Sequence, residues 1–272
     1  MDITRDFGEH LLASTQVRKV RASDTVMRLL AARRHVETAY GGGFVESIDG
    51  LAGTRTGRRD WFYYVDGSEA PIGAADYTPR PRDVVQWDYH RWDATLHVPA
   101  IVGAYPRPFT LAPDGRRPRT VLECGAHAAP ACATVKRTLS RDGATVNTAP
   151  LGAPVQPNAV VAVVAPWSAA RAVLALRKLE SGPSASGVFA RFADAGSRLI
   201  LLDGSGHPAQ VAPAGSGLVA ATSDSDGTIT WIVSGTDETG VSRAAAGLSR
   251  QRLRNAFALA LLPRAERRLP VG

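Results

Sequence analysis

Residues 40–52 read Tyr-Gly-Gly-Gly-Phe-Val-Glu-Ser-Ile-Asp-Gly-Leu-Ala, and two further stretches belong with them. Residues 60–65 are Asp-Trp-Phe-Tyr-Tyr-Val, and 85–92 are Val-Gln-Trp-Asp-Tyr-His-Arg-Trp. Between Tyr40 and Trp92 lie three of the five Trp and five of the six Tyr. They alternate with turn residues instead of following a helical stripe, which predicts short antiparallel strands. Asp49-Gly50 and Asp66-Gly67 are turn signals that close two of them. Trp61 and Tyr63 share one strand face with Trp87 and Tyr89, and Phe62 and Tyr64 share the other. One face must be core, so the opposite face, with Trp92, is expected to be open for contact. The glycines after Tyr40 permit a left-handed backbone and close approach.

Upstream, residues 2–20 alternate weakly and read as strand, most clearly over Gln16 to Val20. Ser23-Asp24 offers a helix cap, and apolar spacing predicts a helix from Thr25 to Arg34. A further strand is expected over Ala94 to Val98. One helix with several antiparallel strands makes residues 1–98 an α+β domain.

This stretch resembles the carboxy-terminal β domain of the transcobalamin and intrinsic-factor type of cobalamin carrier, and related bacterial domains. The resemblance rests on Thr25-Val26-Met27-Arg28-Leu29, on Tyr40, Gly43, Phe44, Val45, Ser47, Ile48, Gly50, Leu51 and Ala52, on Trp61 to Gly67, on Pro71 to Tyr77, and on Val85 to Tyr89. It covers about residues 2–98. It implies a domain without catalysis that covers one face of a cobalamin. The contacts it implies are Tyr40, Gly42, Gly43 and Phe44, then Trp61, Phe62, Tyr63 and Tyr64. His90 and Trp92 join the candidate set from their place in the aromatic cluster. Nothing in the chain reads as the helical barrel that holds most of the cobalamin in that family. The resemblance therefore implies a partner, either a helical-barrel protein or a membrane transporter component.

Residues 99–118 are rich in Pro and Gly (Pro99, Gly103, Pro106, Pro108, Pro113, Pro118) and read as a surface linker. Residues 119–272 change character. Val160 to Val164 is a continuous apolar run, the signature of a strand buried on both faces. Strands at Thr120 to Glu123, Leu199 to Leu202, Gly217 to Ala221 and Thr228 to Val233 alternate with helices at Pro130 to Ser140, Ala169 to Lys178 and Gly240 to Leu262. That alternation predicts an α/β domain with a mixed sheet. No internal repeat is visible.

The remaining chemistry is sparse. Gly235 to Gly240 joins a strand to a helix, where an anion or an N-cap from Asp237 or Thr239 would fit. Ser181 to Gly187 is a small-residue loop, and Ser184 lacks the context of a hydrolase nucleophile. The six His form no metal motif, and no acid/base pair is readable, so an enzyme is not expected. No cofactor is expected beyond cobalamin as a ligand. Cys124 and Cys132 are the only cysteines, and their spacing suits a disulfide or a pair of buried thiols. The disulfide would place the protein outside the cytoplasm. No leader peptide or membrane span is visible. The net charge of +7 comes from Arg spread along the chain, and no nucleic-acid motif accompanies it. Two functions remain: a binding protein contributing one face of a corrinoid site in an uptake system, or a surface module that grips a protein or glycan.

Overall fold

A computed structural model describes residues 1–111 and 115–272; Pro113 of the expected linker lies outside the described residues. The first unit runs β1 (Asp2–Arg5), β2 (His10–Ser14), α1 (Val26–Ala31), β3 (Val36–Ala39), β4 (Phe44–Ile48), β5 (Leu51–Ala52), β6 (Arg59–Val65), β7 (Ser68–Glu69) and β8 (Val85–Arg91). A five-stranded sheet has the order β2-β1-β8-β6-β7, and β3-β4-β5 form a second sheet. Thr25 caps α1 by accepting from Arg28 N, as the helix signal predicts, although the helix ends at Ala31. Trp61, Val65, Val85, Trp87 and Tyr89 pack with Ile3, Met27, Leu30 and Ile48 into one core between the sheets and α1. Residues 16–20 and 94–98 form no strand.

The second unit runs β9 (Thr120–Cys124), α2 (Ala129–Arg141), β10 (Val146–Pro150), β11 (Val160–Pro166), α3 (Trp167–Ala170), α4 (Pro183–Ser186), β12 (Ala190–Ala193), β13 (Arg198–Leu202), β14 (Pro208–Ala212), β15 (Gly217–Ser223), β16 (Ile229–Gly235), α5 (Glu238–Gly247), α6 (Arg250–Leu253), β17 (Ala258–Leu261) and β18 (Glu266–Leu269). Its mixed seven-stranded sheet has the order β10-β9-β11-β16-β15-β17-β18, and β12-β13-β14 form a small sheet beside it. Val160, Ala162 and Val164 pack with α2 and α5, while Val161, Val163 and Ala165 face the small sheet. Burial on both faces is what the unbroken apolar run requires. The Cys124–Cys132 disulfide ties the end of β9 to the first turn of α2. The expected α+β unit followed by a mixed α/β sheet is thus the architecture found.

Three further expectations need correction. The helix expected over 240–262 ends at Gly247, and Ala258–Leu261 is a strand beside β15. An apolar run buried on both sides reads alike as helix or strand, and pairing with β15 decides it. The segment expected as a surface linker is largely interior: Val98, Ala100, Ile101, Val102, Tyr105 and Phe109 are buried. It threads between the units, with Ile101 N donating to Gly67 O and Asn255 N to Gly103 O. A Cβ on Gly103 would stand 2.9 Å from Asn255 Cα, so glycine here serves close approach, not flexibility.

The third correction is an internal repeat. In the first unit β1 lies parallel to β8 and β6 antiparallel to β8. In the second, β11 lies parallel to β16 and β15 antiparallel to β16. In both, a helical segment and a three-stranded sheet come between the first strand and the last two. The small sheets share a loop in close detail. Tyr40 (φ 51), Gly41 (φ 69) and Gly42 (φ 97) match Asp194 (φ 50), Ala195 (φ 55) and Gly196 (φ 106). The flanking pairs Ala39↔Phe44 and Ala193↔Arg198 span the same distance in sequence.

Buried polar groups fasten the first unit to the 98–109 segment. Asp66 is fully buried; its Oδ1 accepts from Val84 N at 2.9 Å, and Arg107 Nη1 lies 3.6 Å from Oδ2. Burial pushes the Asp66 carboxyl up to about 6, against the pull of the Val84 N–H and Arg107. A carboxyl whose folded pKa exceeds its unfolded value of 3.8 favours folding below that value, and this is lost as the pH rises through about 6. Asp66→Asn removes the titration and keeps the acceptor for Val84. Urea unfolding should show the variant gaining on the wild type by up to roughly 3 kcal/mol between pH 4 and pH 7. A pH-independent difference would contradict this assignment.

Candidate ligand groove

The Tyr40 loop, the start of β6 and the end of β8 enclose a groove of about 370 Å³ at one end of the first unit. Tyr40, Phe44 and Trp92 supply its aromatic surface, and Glu46, Arg59 and Asp60 its charges. Pairing of β6 with β8 brings Arg59 opposite Arg91, which sets Trp92 beside the loop. Trp92 N donates to Arg58 O at 2.8 Å, and the Arg58 guanidinium lies 6.0 Å from the Trp92 ring centre. Arg59 Nη1 donates to Asp6 Oδ1 at 2.7 Å. Burial raises the Asp60 carboxyl, opposed by the Trp61 N–H that its Oδ1 accepts at 2.8 Å.

Tyr40 is 81% exposed and Phe44 42%, with ring centres 6.3 Å apart. Tyr40 also holds a left-handed backbone, which costs a non-glycine residue about 1 kcal/mol. A large aromatic this exposed adds little to the core, and exposed aromatics gathered in a patch mark contact sites. Beside it, a Cβ on Gly41 or Gly42 would meet nothing within 4 Å. These glycines are required by φ, and they leave the backbone bare.

The second copy of the loop behaves differently. A Cβ on Gly196 would stand 2.8 Å from Ser168 N and 3.1 Å from Trp167 Cβ. Trp167 stacks on Phe192 with ring centres 4.6 Å apart, so α3 packs against Gly196, while Asp194, Ala195 and Arg198 stay exposed. The same backbone shape thus packs against α3 at Gly196 in the second unit and has no such neighbour at Gly42 in the first.

Of the candidate residues, Tyr40, Phe44 and Trp92 come together in the groove, with Gly42 and Gly43 in its loop. Trp61 and Tyr63 belong to the first core: Trp61 Nε1 donates to Leu51 O at 2.8 Å, and the Tyr63 hydroxyl donates to Ile72 O. The face expected to be open, with Phe62 and Tyr64, is instead covered by the second unit. Tyr64 is buried against Phe257, and Phe62 stacks on His90 at 4.4 Å. His90 is buried between Phe62 and Phe7, with its Nδ1 2.8 Å from Asp88 Oδ1. It does not reach the groove. Phe189 and Phe257 supply the covering surface. Arg59 and Asp60 carry no sequence signal, since only tertiary packing brings the start of β6 to the loop, whereas Glu46 follows the loop directly on β4.

The other candidates close on themselves. Asp237 caps α5, accepting from Gly240 N at 2.8 Å, and its second oxygen accepts from Gly215 N. A carboxylate thus already occupies that helix start. In the small-residue loop, Ser186 is buried and donates to Gly182 O. Among the described residues, no cluster of His, Cys, Asp or Glu is placed to hold a metal ion. No described helix is long and apolar enough to cross a membrane.

Together these features define an α+β unit whose groove is built from one glycine loop and one strand end. Residues 23–91, from just before α1 to the end of β8, match a domain family of unknown function, DUF4430. No characterised protein and no solved structure matches the chain.

Proposed function

We propose that this is a non-catalytic, extracytoplasmic ligand-binding protein whose first unit contributes one face of a corrinoid site in an uptake system. The observation that carries this reading is the contrast between the two loops: the first presents exposed Tyr40 and Phe44 with bare glycine backbone, whereas the second carries Asp194 and Arg198 at those positions and packs Gly196 against Trp167. The family match at 23–91 coincides with the stretch that resembles the cobalamin carriers. A groove of about 370 Å³ takes only an edge of so large a ligand. The reading therefore assigns the rest to a helical-barrel protein or a membrane transporter component. The Cys124–Cys132 disulfide favours an oxidising compartment.

Absorbance titration with cyanocobalamin, with and without envelope extract, tests this reading: a saturable spectral shift is expected, and its absence under both conditions would count against it. The exposed Tyr40 and Phe44 also support the second reading, a module that grips a protein or glycan. Recovery of a stoichiometric envelope protein without a corrinoid would favour that.

Tyr40→Gly separates fold from function. Relief of the left-handed backbone should raise stability, less the greater chain entropy of glycine, by up to about 1 kcal/mol in urea unfolding. Ligand affinity should fall in the same variant. Equal losses of stability and affinity would mark Tyr40 as structural.

A further inference from the structure

The second unit carries a cleft of about 350 Å³ at the edge of its large sheet where β9 and β11 begin. Residues 116–119 form one wall and 156–159 the other. β9 and β11 are parallel neighbours with Thr120 opposite Val160, so the two walls arrive side by side. The walls share one plan, Arg117-Pro118-Arg119 on the first and Gln156-Pro157-Asn158 on the second. Each sets a proline between two polar side chains, and the proline ring fixes φ there. Backbone bonds hold both walls in place. Val160 N donates to Arg119 O at 3.1 Å, Ala159 N to Gln156 O at 3.2 Å, and Ile229 N to Ala159 O at 3.1 Å. Pro118 is half-buried and Ala159 buried, while Arg117, Arg119, Gln156 and Asn158 are exposed.

None of the lining residues is acidic. The side chains of Arg117, Arg119, Gln156 and Asn158 make no hydrogen bond or ion pair among the described residues. Several arginines elsewhere meet carboxylates, as Arg198 does Asp194 at 3.1 Å and Arg254 does Asp2 at 3.0 Å. The turn next to Asn158 carries Asp224 and Asp226, and both are engaged. Asp226 accepts from Thr228 N at 2.9 Å, and Asp224 pairs with Lys178 Nζ at 2.8 Å. Two guanidinium forks and two amides on a fixed backbone suit an anion with oxygens on several sides. A planar carboxylate satisfies one fork, whereas a phosphate group accepts from both forks and from the amides. The net charge of +7 adds attraction over distance.

We propose that this cleft is a phosphate-binding site, formed by Arg117 and Arg119 with Gln156 and Asn158. The phosphate is that of a small soluble ester or of a lipid headgroup, and the chemistry of recognition is the same for both. The site lies on the other unit from the aromatic groove and shares no lining residue with it.

The test follows the side-chain amide signals of Gln156 and Asn158 by nuclear magnetic resonance while the full chain is titrated with glycerol phosphate. A saturable shift of both signals is expected. Arg117→Ala and Arg119→Ala should each weaken binding by about tenfold or more, the effect of losing a charge-assisted hydrogen bond. Arg117→Lys keeps the charge without the fork and should restore only part of the affinity. Arg137→Ala removes an exposed charge on α2 and should leave binding unchanged. Sedimentation with phosphatidylglycerol vesicles, lost in both alanine variants, would assign the phosphate to a lipid headgroup. A response to glycerol phosphate without sedimentation would assign it to a soluble ester. Absence of both responses would overturn the proposal. So would equal weakening by Arg137→Ala, which would mean attraction to net charge alone, or binding untouched by both Arg117→Ala and Arg119→Ala. None of these outcomes depends on corrinoid binding.

Discussion

Asp88→Ala is expected to lower the unfolding free energy by about 3–5 kcal/mol, because it strands several buried donors at once. Asp88 is fully buried on β8. It accepts from Phe7 N at 2.9 Å and Gly8 N at 2.7 Å. Thr4 Oγ1 lies 2.6 Å from its Oδ2, and His90 Nδ1 lies 2.8 Å from its Oδ1. These bonds hold the β1–β2 turn against β8 and so fix the Phe7 ring. Phe7 in turn packs on Phe189 at 4.7 Å and on Phe257 at 5.3 Å, across the contact between the units. One carboxylate thus links local turn geometry to the covering of the Phe62–Tyr64 face. A domain of ordinary stability has about 5–15 kcal/mol in all, so the loss would be severe. Asp88→Asn keeps the shape but turns a donor toward donors, and its loss should be intermediate. Urea unfolding of both variants checks this, and a loss under 1 kcal/mol for Asp88→Ala would show that the turn stands without it.

The second large effect concerns binding. Trp92→Ala should weaken cyanocobalamin binding by about tenfold to a hundredfold, the range expected when a central aromatic contact is truncated. Trp92 follows the last residue of β8 and is not part of the buried core, so stability should change little. Phe44→Ala should act in the same direction, whereas the equivalent change on the second loop, Arg198→Ala, should leave affinity unaltered. Isothermal titration of the three variants separates these outcomes. Unchanged affinity in Trp92→Ala and Phe44→Ala would remove the groove from the site.

Much of the fold was legible where side chains carry a period. Trp61, Tyr63, Trp87 and Tyr89 alternate, and they do share the first core. The Cys124 and Cys132 spacing suits a disulfide, and one is formed. What was not legible depends on surfaces far away in sequence. Nothing near Phe62 or Tyr64 announces that Phe189 and Phe257 will cover them. The Pro and Gly of 98–109 signal turns, but burial comes from the two units closing on them. The repeat was hidden because, over 36–50 and 190–204, only Ala39/Ala193, Gly42/Gly196, Asp49/Asp203 and Gly50/Gly204 are identical. Backbone geometry persists there while the side chains differ, and that difference gives one loop exposed aromatics and the other an exposed Asp194–Arg198 ion pair. In the groove, Tyr40, Phe44 and Trp92 announce themselves as aromatics, whereas Arg59 and Asp60 join only through tertiary packing.

The most direct test of the open-loop account is hydrogen exchange of the whole chain with and without saturating cyanocobalamin, read by mass spectrometry. The account predicts slowed exchange in peptides covering 39–46, 53–60 and 92, with 193–198 of the second loop unchanged as an internal control. Absence of protection in the first loop, or equal protection of both loops, would contradict it.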